Sequence, residues 1–154
     1  MGEVHRRRRE LRFADLSEVM VEVRGLIPSH QTIRNWTLAQ VCRHLADTFH
    51  GSIDGFSLRR HRLKRWLFHR SLLRYTFRWG IPENYTVDPN LTPPPGVELE
   101  ESLRSLEEAI ARFRSHGGEL KPHPLFGRLD RANWERLHLF HAAHHLGFVL
   151  PSEW

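Results

Sequence analysis

Apolar residues recur every three or four positions in four separate segments of this sequence, and no run alternates apolar and polar residues as a half-buried strand would. The four segments are 13–26, one that begins at 37 and ends near Gly51 or Gly55, 98–116 and 130–150. At the start of the second segment, Thr37 and Gln40 have the spacing of a capping box, which marks a helix N-terminus. The pattern therefore predicts four amphipathic helices and no β-strand.

A long connection separates the second and third predicted helices. Its first half is basic and aromatic and is predicted to form a further helix over 59–79, whereas 81–96 contains five prolines and is predicted to be irregular. Four long helices with one long crossover, here 57–97, are typical of an all-α four-helix bundle, in which sites are built on the inward faces of the helices. The 154 residues suffice for one core, so we expect a single domain over 1–154.

The composition excludes several classes of protein. Hydrophobic residues make up 40% and charged residues 27% of the chain, which is ordinary for a globular protein and unlike a disordered one. The longest stretch without Asp, Glu, Lys or Arg has 16 residues, 137–152, and is too short for a membrane-spanning helix. The single cysteine cannot form an internal disulfide, and no apolar run follows the basic N-terminal residues as it would in a secretory signal. We therefore expect a cytoplasmic protein.

The twelve histidines are the unusual feature of the composition, because histidine is the commonest metal ligand in proteins. Four of them lie in the last predicted helix. His141 and His145 are one turn apart on a shared face, His138 borders that face, and His144 lies further round the helix. Two imidazoles at this spacing can bind one divalent ion, but a complete site needs a third ligand from a facing helix.

The candidate for the third ligand is His44, near the centre of the second predicted helix, and His50 is a poorer one because it lies at the end of that helix. Alternatively, the pair arises by chance in a chain so rich in histidine, and the imidazoles are core or surface residues. The role of His138 stays open between a general base, a fourth ligand and a packing residue. For Asp47 we favour a solvated or ion-paired acid over a group that orients a ligand imidazole, and for Cys42 a buried apolar role.

Motifs in three parts of the chain occur together in one known superfamily. The second helix carries Trp36-Thr-Leu-Ala-Gln-Val-Cys-Arg-His44, the last helix carries His141 and His145, and the segment before it carries His123-Pro-Leu-Phe-Gly127. The first two resemble the motifs of the DinB/YfiT-like metalloenzymes, which are four-helix bundles. The third, with Trp134 and the arginine-rich start of the chain, is similar to a branch of that superfamily catalogued as a domain of unknown function.

The resemblance implies that His44, His141 and His145 bind one divalent metal ion. A ligand set of imidazoles alone suits zinc, nickel, copper or iron, whereas magnesium and calcium prefer oxygen, and of these ions we expect zinc or nickel. The known activities of superfamily members imply that the ion activates the thiol of a low-molecular-weight cofactor, in an S-transferase type of reaction on a small-molecule substrate. Metal-assisted hydrolysis is the second possibility that the resemblance implies. The chain departs from the superfamily at Phe148, where a Gln is common three residues after the final ligand.

The basic stretch 59–78 supports a different class of function. It carries seven Arg, one Lys and no acid, interleaved with aromatic residues. A solvated face is the simplest interpretation, capture of an acidic substrate is the next, and binding to nucleic acid or to a membrane is less favoured. The alternative function is therefore a non-catalytic metal-binding or interaction bundle that binds an anionic partner through this helix, and a homodimer is also open.

Overall fold

The computed structural model describes residues 8–57, 62–83 and 89–152, and the described chain is mostly helical, as expected for an all-α protein. The helices are α1 (Leu16–Leu26), α2 (Leu38–Asp54), α3 (Arg62–Trp79), α4 (Leu99–Ser115) and α5 (Arg131–Leu146), with a 3-10 turn at Pro89–Leu91. Residues 59–61 of the predicted basic helix lie outside the described residues, as do the side chains of 62–69. None of the helices in the described ranges is both long and apolar enough to cross a membrane.

Side-chain caps determine where the first two helices begin. The Asp15 carboxylate accepts hydrogen bonds from the backbone of Ser17 and Glu18, so α1 starts three residues later than its apolar pattern predicted. The predicted capping box is confirmed: the Thr37 hydroxyl accepts the Gln40 N–H at 3.2 Å, and the Gln40 side chain accepts the Thr37 N–H at 3.0 Å. These caps fix the start of α2 and therefore the direction in which its buried face points.

The prediction that the chain has no strand is wrong, and so is the predicted end of α5 near residue 150. The helix ends at Leu146, and the next residues form strand β2 (Val149–Pro151), which pairs antiparallel with β1 (His30–Thr32). The backbone of Arg9 explains the stop, because its N–H donates to the Gly147 carbonyl at 2.9 Å and a Cβ on Gly147 would lie 2.7 Å from the Arg9 carbonyl oxygen. Strands of three residues are too short to show an alternating pattern.

The core lies where α2 packs along α4 and contacts α5, which in turn contacts α1. The stripes predicted from the sequence supply it: Leu45 and Phe49 from α2, Leu106 and Phe113 from α4, and Trp134 from α5 are all almost fully buried. Because α2 and α5 are neighbours, the histidines on their facing sides lie inside the molecule. The connection between α2 and α4 passes over these two helices, since Phe77 of α3 packs on Phe140 of α5 and Gln40 of α2 donates to the Pro93 carbonyl.

Candidate metal centre

Three imidazole nitrogens meet between α2 and α5. The Nε2 atom of His141 lies 3.1 Å from that of His44 and 3.0 Å from that of His145. His44 and His145 are buried, and His141 is partly exposed. The structure thus brings together the three residues that the spacing and the resemblance singled out, and their nitrogens lie close enough to hold one metal ion.

The distances fit a divalent ion. Two nitrogens bound at about 2.0–2.1 Å to a tetrahedral ion are roughly 3.4 Å apart, and a more acute angle at the ion brings them closer. Hydrogen bonds among the three rings satisfy fewer of these nitrogens than a bound metal ion would. Since a carbonyl can only accept, the 2.9 Å contact between His44 Nδ1 and the Leu91 oxygen places the proton on Nδ1 and leaves a lone pair on His44 Nε2. The Nε2 atoms form two contacts, His44 with His141 and His141 with His145, and a single N–H can make only one of them with good geometry. A central cation, by contrast, would bind all three nitrogens.

Neighbouring groups hold the three rings in place. The Leu91 carbonyl orients His44 from the crossover. The Thr48 hydroxyl donates to the Leu45 carbonyl at 2.8 Å, which turns an oxygen lone pair toward Nδ1 of His141 at 3.5 Å. The Trp36 ring stacks on His145, with centroids 5.3 Å apart and planes inclined by 14°. Partners of this kind, behind the nitrogens and on the ring faces, are what fixes the tautomer and orientation of histidine ligands.

Burial keeps the cluster uncharged. Desolvation lowers the pKa of His44, and it lowers the pKa values of His141 and His145 well below the ordinary value, with the neighbouring imidazoles adding to the effect. At neutral pH the three rings are therefore neutral and their inner lone pairs are available. Neutral imidazole is the form that binds metal ions.

The family of the chain can now be stated. A family model described as "Protein of unknown function (DUF1569)" matches residues 5–152. The chain belongs to DUF1569. The expected place in a domain of unknown function is thereby confirmed. Comparisons with curated proteins and with solved structures gave no match.

The other histidines of α5 lie outside the cluster of this DUF1569 chain. The ring of His138 stacks on Phe49, with centroids 3.9 Å apart, and on Trp134 at 5.2 Å, and burial lowers the pKa of His138 to about 3. Its packing matches the third of the roles left open, a residue that fills the core. His144 accepts a hydrogen bond at Nδ1 from Arg8 at 2.9 Å, so it points away from the three nitrogens, as the spacing predicted.

The remaining candidates have structural partners. Asp47 accepts a hydrogen bond from Arg43 one turn earlier on α2 at 3.1 Å, which matches the ion-paired acid that we favoured. Cys42 is buried, and burial raises the pKa of its thiol to about 12, so it is an inert apolar residue here. His50 lies 3.1 Å from an Arg112 nitrogen, outside the cluster.

Sequence reasoning missed the groups that support the ligands of the DUF1569 chain. Thr48 could have been found, because it is four residues after His44 and so shares its helix face. Trp36 belongs to the motif that carries the resemblance, but nothing in the sequence indicates that its ring covers His145. The Leu91 carbonyl is a backbone group in an irregular segment and leaves no signal in the sequence.

Proposed function

We propose that this chain is a divalent-metal-dependent enzyme of the DinB/YfiT-like superfamily, with His44, His141 and His145 holding the ion. The observation that carries the proposal is that the Nε2 atom of His141 lies 3.0–3.1 Å from the Nε2 atoms of both His44 and His145, on rings held from behind. Three neutral ligands leave at least one position on the ion open, as in catalytic sites, whereas structural sites have four protein ligands. Of the three proposed ligands, His141 is the one that is partly exposed.

Zinc or nickel bound here would lower the pKa of a thiol or of water. The residues of the chain favour the thiol. Among the described residues, no carboxylate stands beside the cluster as a general base, since Asp47, the acid one turn from His44, is paired with Arg43. Attack by water is accelerated by a positioned general base, whereas a thiol ionises more readily than water and needs no such base. We therefore place transfer to or from a low-molecular-weight thiol first and hydrolysis second.

The metal content of untagged protein, purified without a nickel column, tests the proposal. We expect about one equivalent of zinc or nickel by mass spectrometry in the wild type and in His144→Ala, and a large loss in His141→Ala. The matched pair distinguishes the inner ring from a neighbouring imidazole that binds Arg8. A wild type that purifies without metal and gains no thermal stability from added zinc or nickel would contradict the proposal.

A second candidate function rests on the exposed face of α3. Arg70, Arg74 and Arg78 recur at four-residue spacing and are exposed, and no acid among the described residues pairs with them. Tyr75 and Trp79 are 52% and 67% exposed on the same helix. Positive charge beside open aromatic rings suits an anionic partner. If α3 binds nucleic acid, affinity for a single-stranded oligonucleotide should fall steeply with salt; we expect only weak binding, and a tight complex at physiological salt would put the interaction module first.

A further inference from the structure

Strand pairing places an arginine two rings away from the histidine cluster. The N–H of Ile33 donates to the Phe148 carbonyl at 3.0 Å and so extends the β1–β2 ladder by one step. The next residue, Arg34, therefore lies next to Phe148, and its guanidinium carbon is 4.6 Å from the centre of that ring. Phe148 meets His144 edge-on at 5.4 Å, and His144 meets the ligand candidate His145 at 4.9 Å. Two rings thus separate the guanidinium from the cluster.

Arg34 differs from the other arginines of this region because its charge has no partner within the described residues. Arg8, which lies over the same ring at 5.6 Å, donates to His144 and to the Ile81 carbonyl and lies 3.6 Å from the Glu83 carboxylate. The guanidinium of Arg34 touches only the Phe148 ring, and the residue is exposed. Its N–H donors are therefore available to a ligand that approaches the cluster from solvent.

The charges around the cluster favour an anion. Three neutral imidazoles leave the full charge of a bound divalent ion uncompensated. Two acids of the described residues, Asp47 one turn from His44 and Glu83 beside Arg8, are paired with arginines: Asp47 with Arg43 and Glu83 with Arg8. A molecule with a negative group is thus attracted to this side of the site.

We propose that Arg34 binds the carboxylate of the substrate or of the thiol cofactor, so that the site selects small carboxylate-bearing molecules whose other end reaches the histidine cluster. The guanidinium fork matches a carboxylate through two parallel hydrogen bonds. The Phe148 ring supports this by holding the guanidinium in one place before the ligand arrives. Binding of the other end of this molecule at a metal ion in the cluster rests on the proposed function, whereas the carboxylate subsite itself needs no metal.

Calorimetric titration of the zinc-loaded protein tests the selection with two matched probes, 3-mercaptopropionate and 3-mercaptopropanol. We expect the wild type to bind the carboxylate probe about tenfold more tightly than the alcohol. Arg34→Gln should bring this ratio close to one without changing zinc content or affinity for the alcohol, and Arg34→Lys should keep part of the preference. The control is Arg74→Gln, which removes an exposed charge from α3 and should keep the wild-type ratio.

A preference that persists in Arg34→Gln, or that disappears equally in Arg74→Gln, overturns the proposal. The second arm uses metal-free protein and follows the Nε–H resonance of Arg34, identified by its absence in Arg34→Gln. Propionate should shift this resonance and propanol should not; no shift with propionate overturns the subsite. If the wild type binds no zinc, the metal proposal fails and the second arm alone decides the subsite, so the two failures are distinguishable.

Discussion

Replacing His138 by Phe tests whether one buried imidazole makes the fold sensitive to acid. The ring is 2% exposed and lies against Phe49 and Trp134, and no atom of the described residues forms a hydrogen bond with its Nε2. Burial, with a smaller effect of His123, lowers the pKa of His138 to about 3 in the folded protein, against about 6.5 in an unfolded chain. Between these two pKa values the unfolded chain is therefore protonated at this residue, whereas the folded protein is not. Stability falls as the pH drops below the unfolded pKa and continues to fall until the folded pKa is reached.

The size of the effect follows from the distance between the pH and the unfolded pKa. At pH 4.5 that distance is about 2 units, or roughly 2.7 kcal/mol of unfolding free energy lost through this residue. His138→Phe keeps a flat ring in the stack and removes the titration. At pH 7 we expect the variant to lie within about 1.5 kcal/mol of the wild type, because losing an unpaired buried nitrogen offsets the larger ring. The unfolding free energy of the variant minus that of the wild type should be about 2 to 3 kcal/mol higher at pH 4.5 than at pH 7.

Urea unfolding followed by circular dichroism, at both pH values and with a chelator present, measures this double difference. The chelator removes any contribution of bound metal from the comparison. Leu137→Ala is the control, since it removes a buried side chain from the same helix but no titrating group; its cost in unfolding free energy should be the same at both pH values. If His138→Phe and the wild type lose the same free energy between pH 7 and pH 4.5, the folded protein does protonate His138 and the reasoning from burial is wrong.

Three further predictions concern the metal centre and the cap of α2. His44→Ala and His145→Ala should each lose the thermal shift that zinc or nickel gives the wild type, whereas His144→Ala should retain it; equal shifts in all three would exclude the cluster as the site. Dialysis over a pH series should show metal released only in acid, because low pKa values keep the ligands neutral at pH 7, so release near pH 7 would contradict the neutral state of the three imidazoles. Thr37→Ala should lower the unfolding free energy by about 1 kcal/mol and Thr37→Ser by much less, and equal losses would show that the capping hydroxyl contributes nothing.

The helices and the shared face of the histidines were predictable because both depend on spacing along the chain. Residues such as Leu45 and Phe49 recur at helical intervals, and their burial follows from that interval alone. His141 and His145 are one turn apart, so any helix through this segment places them on one side. Its place near the centre of the second helix made His44 the candidate third ligand, and the resemblance added support for that choice.

The sequence did not predict the features that depend on contacts between distant segments. The end of α5 depends on the approach of the Arg9 backbone to Gly147, some 140 residues away in sequence. The strands depend on pairing between segments 30–32 and 149–151, each too short for a periodic signal. Long-range pairings of this kind leave no local pattern, so a helical continuation to residue 150 was the natural extrapolation from composition.

The short sheet has consequences for the site beyond the few hydrogen bonds it contributes. It fixes the segment after β1 against the chain that follows α5, and this places Trp36 on the face of His145 and Arg34 on Phe148. The α5 helix supplies two candidate ligands, and the segment beyond its end positions the groups that cover the ligands and face solvent. A helix that continued to residue 150 would break the ladder and separate those groups from the cluster. The early stop of α5 is therefore part of how the candidate site is built.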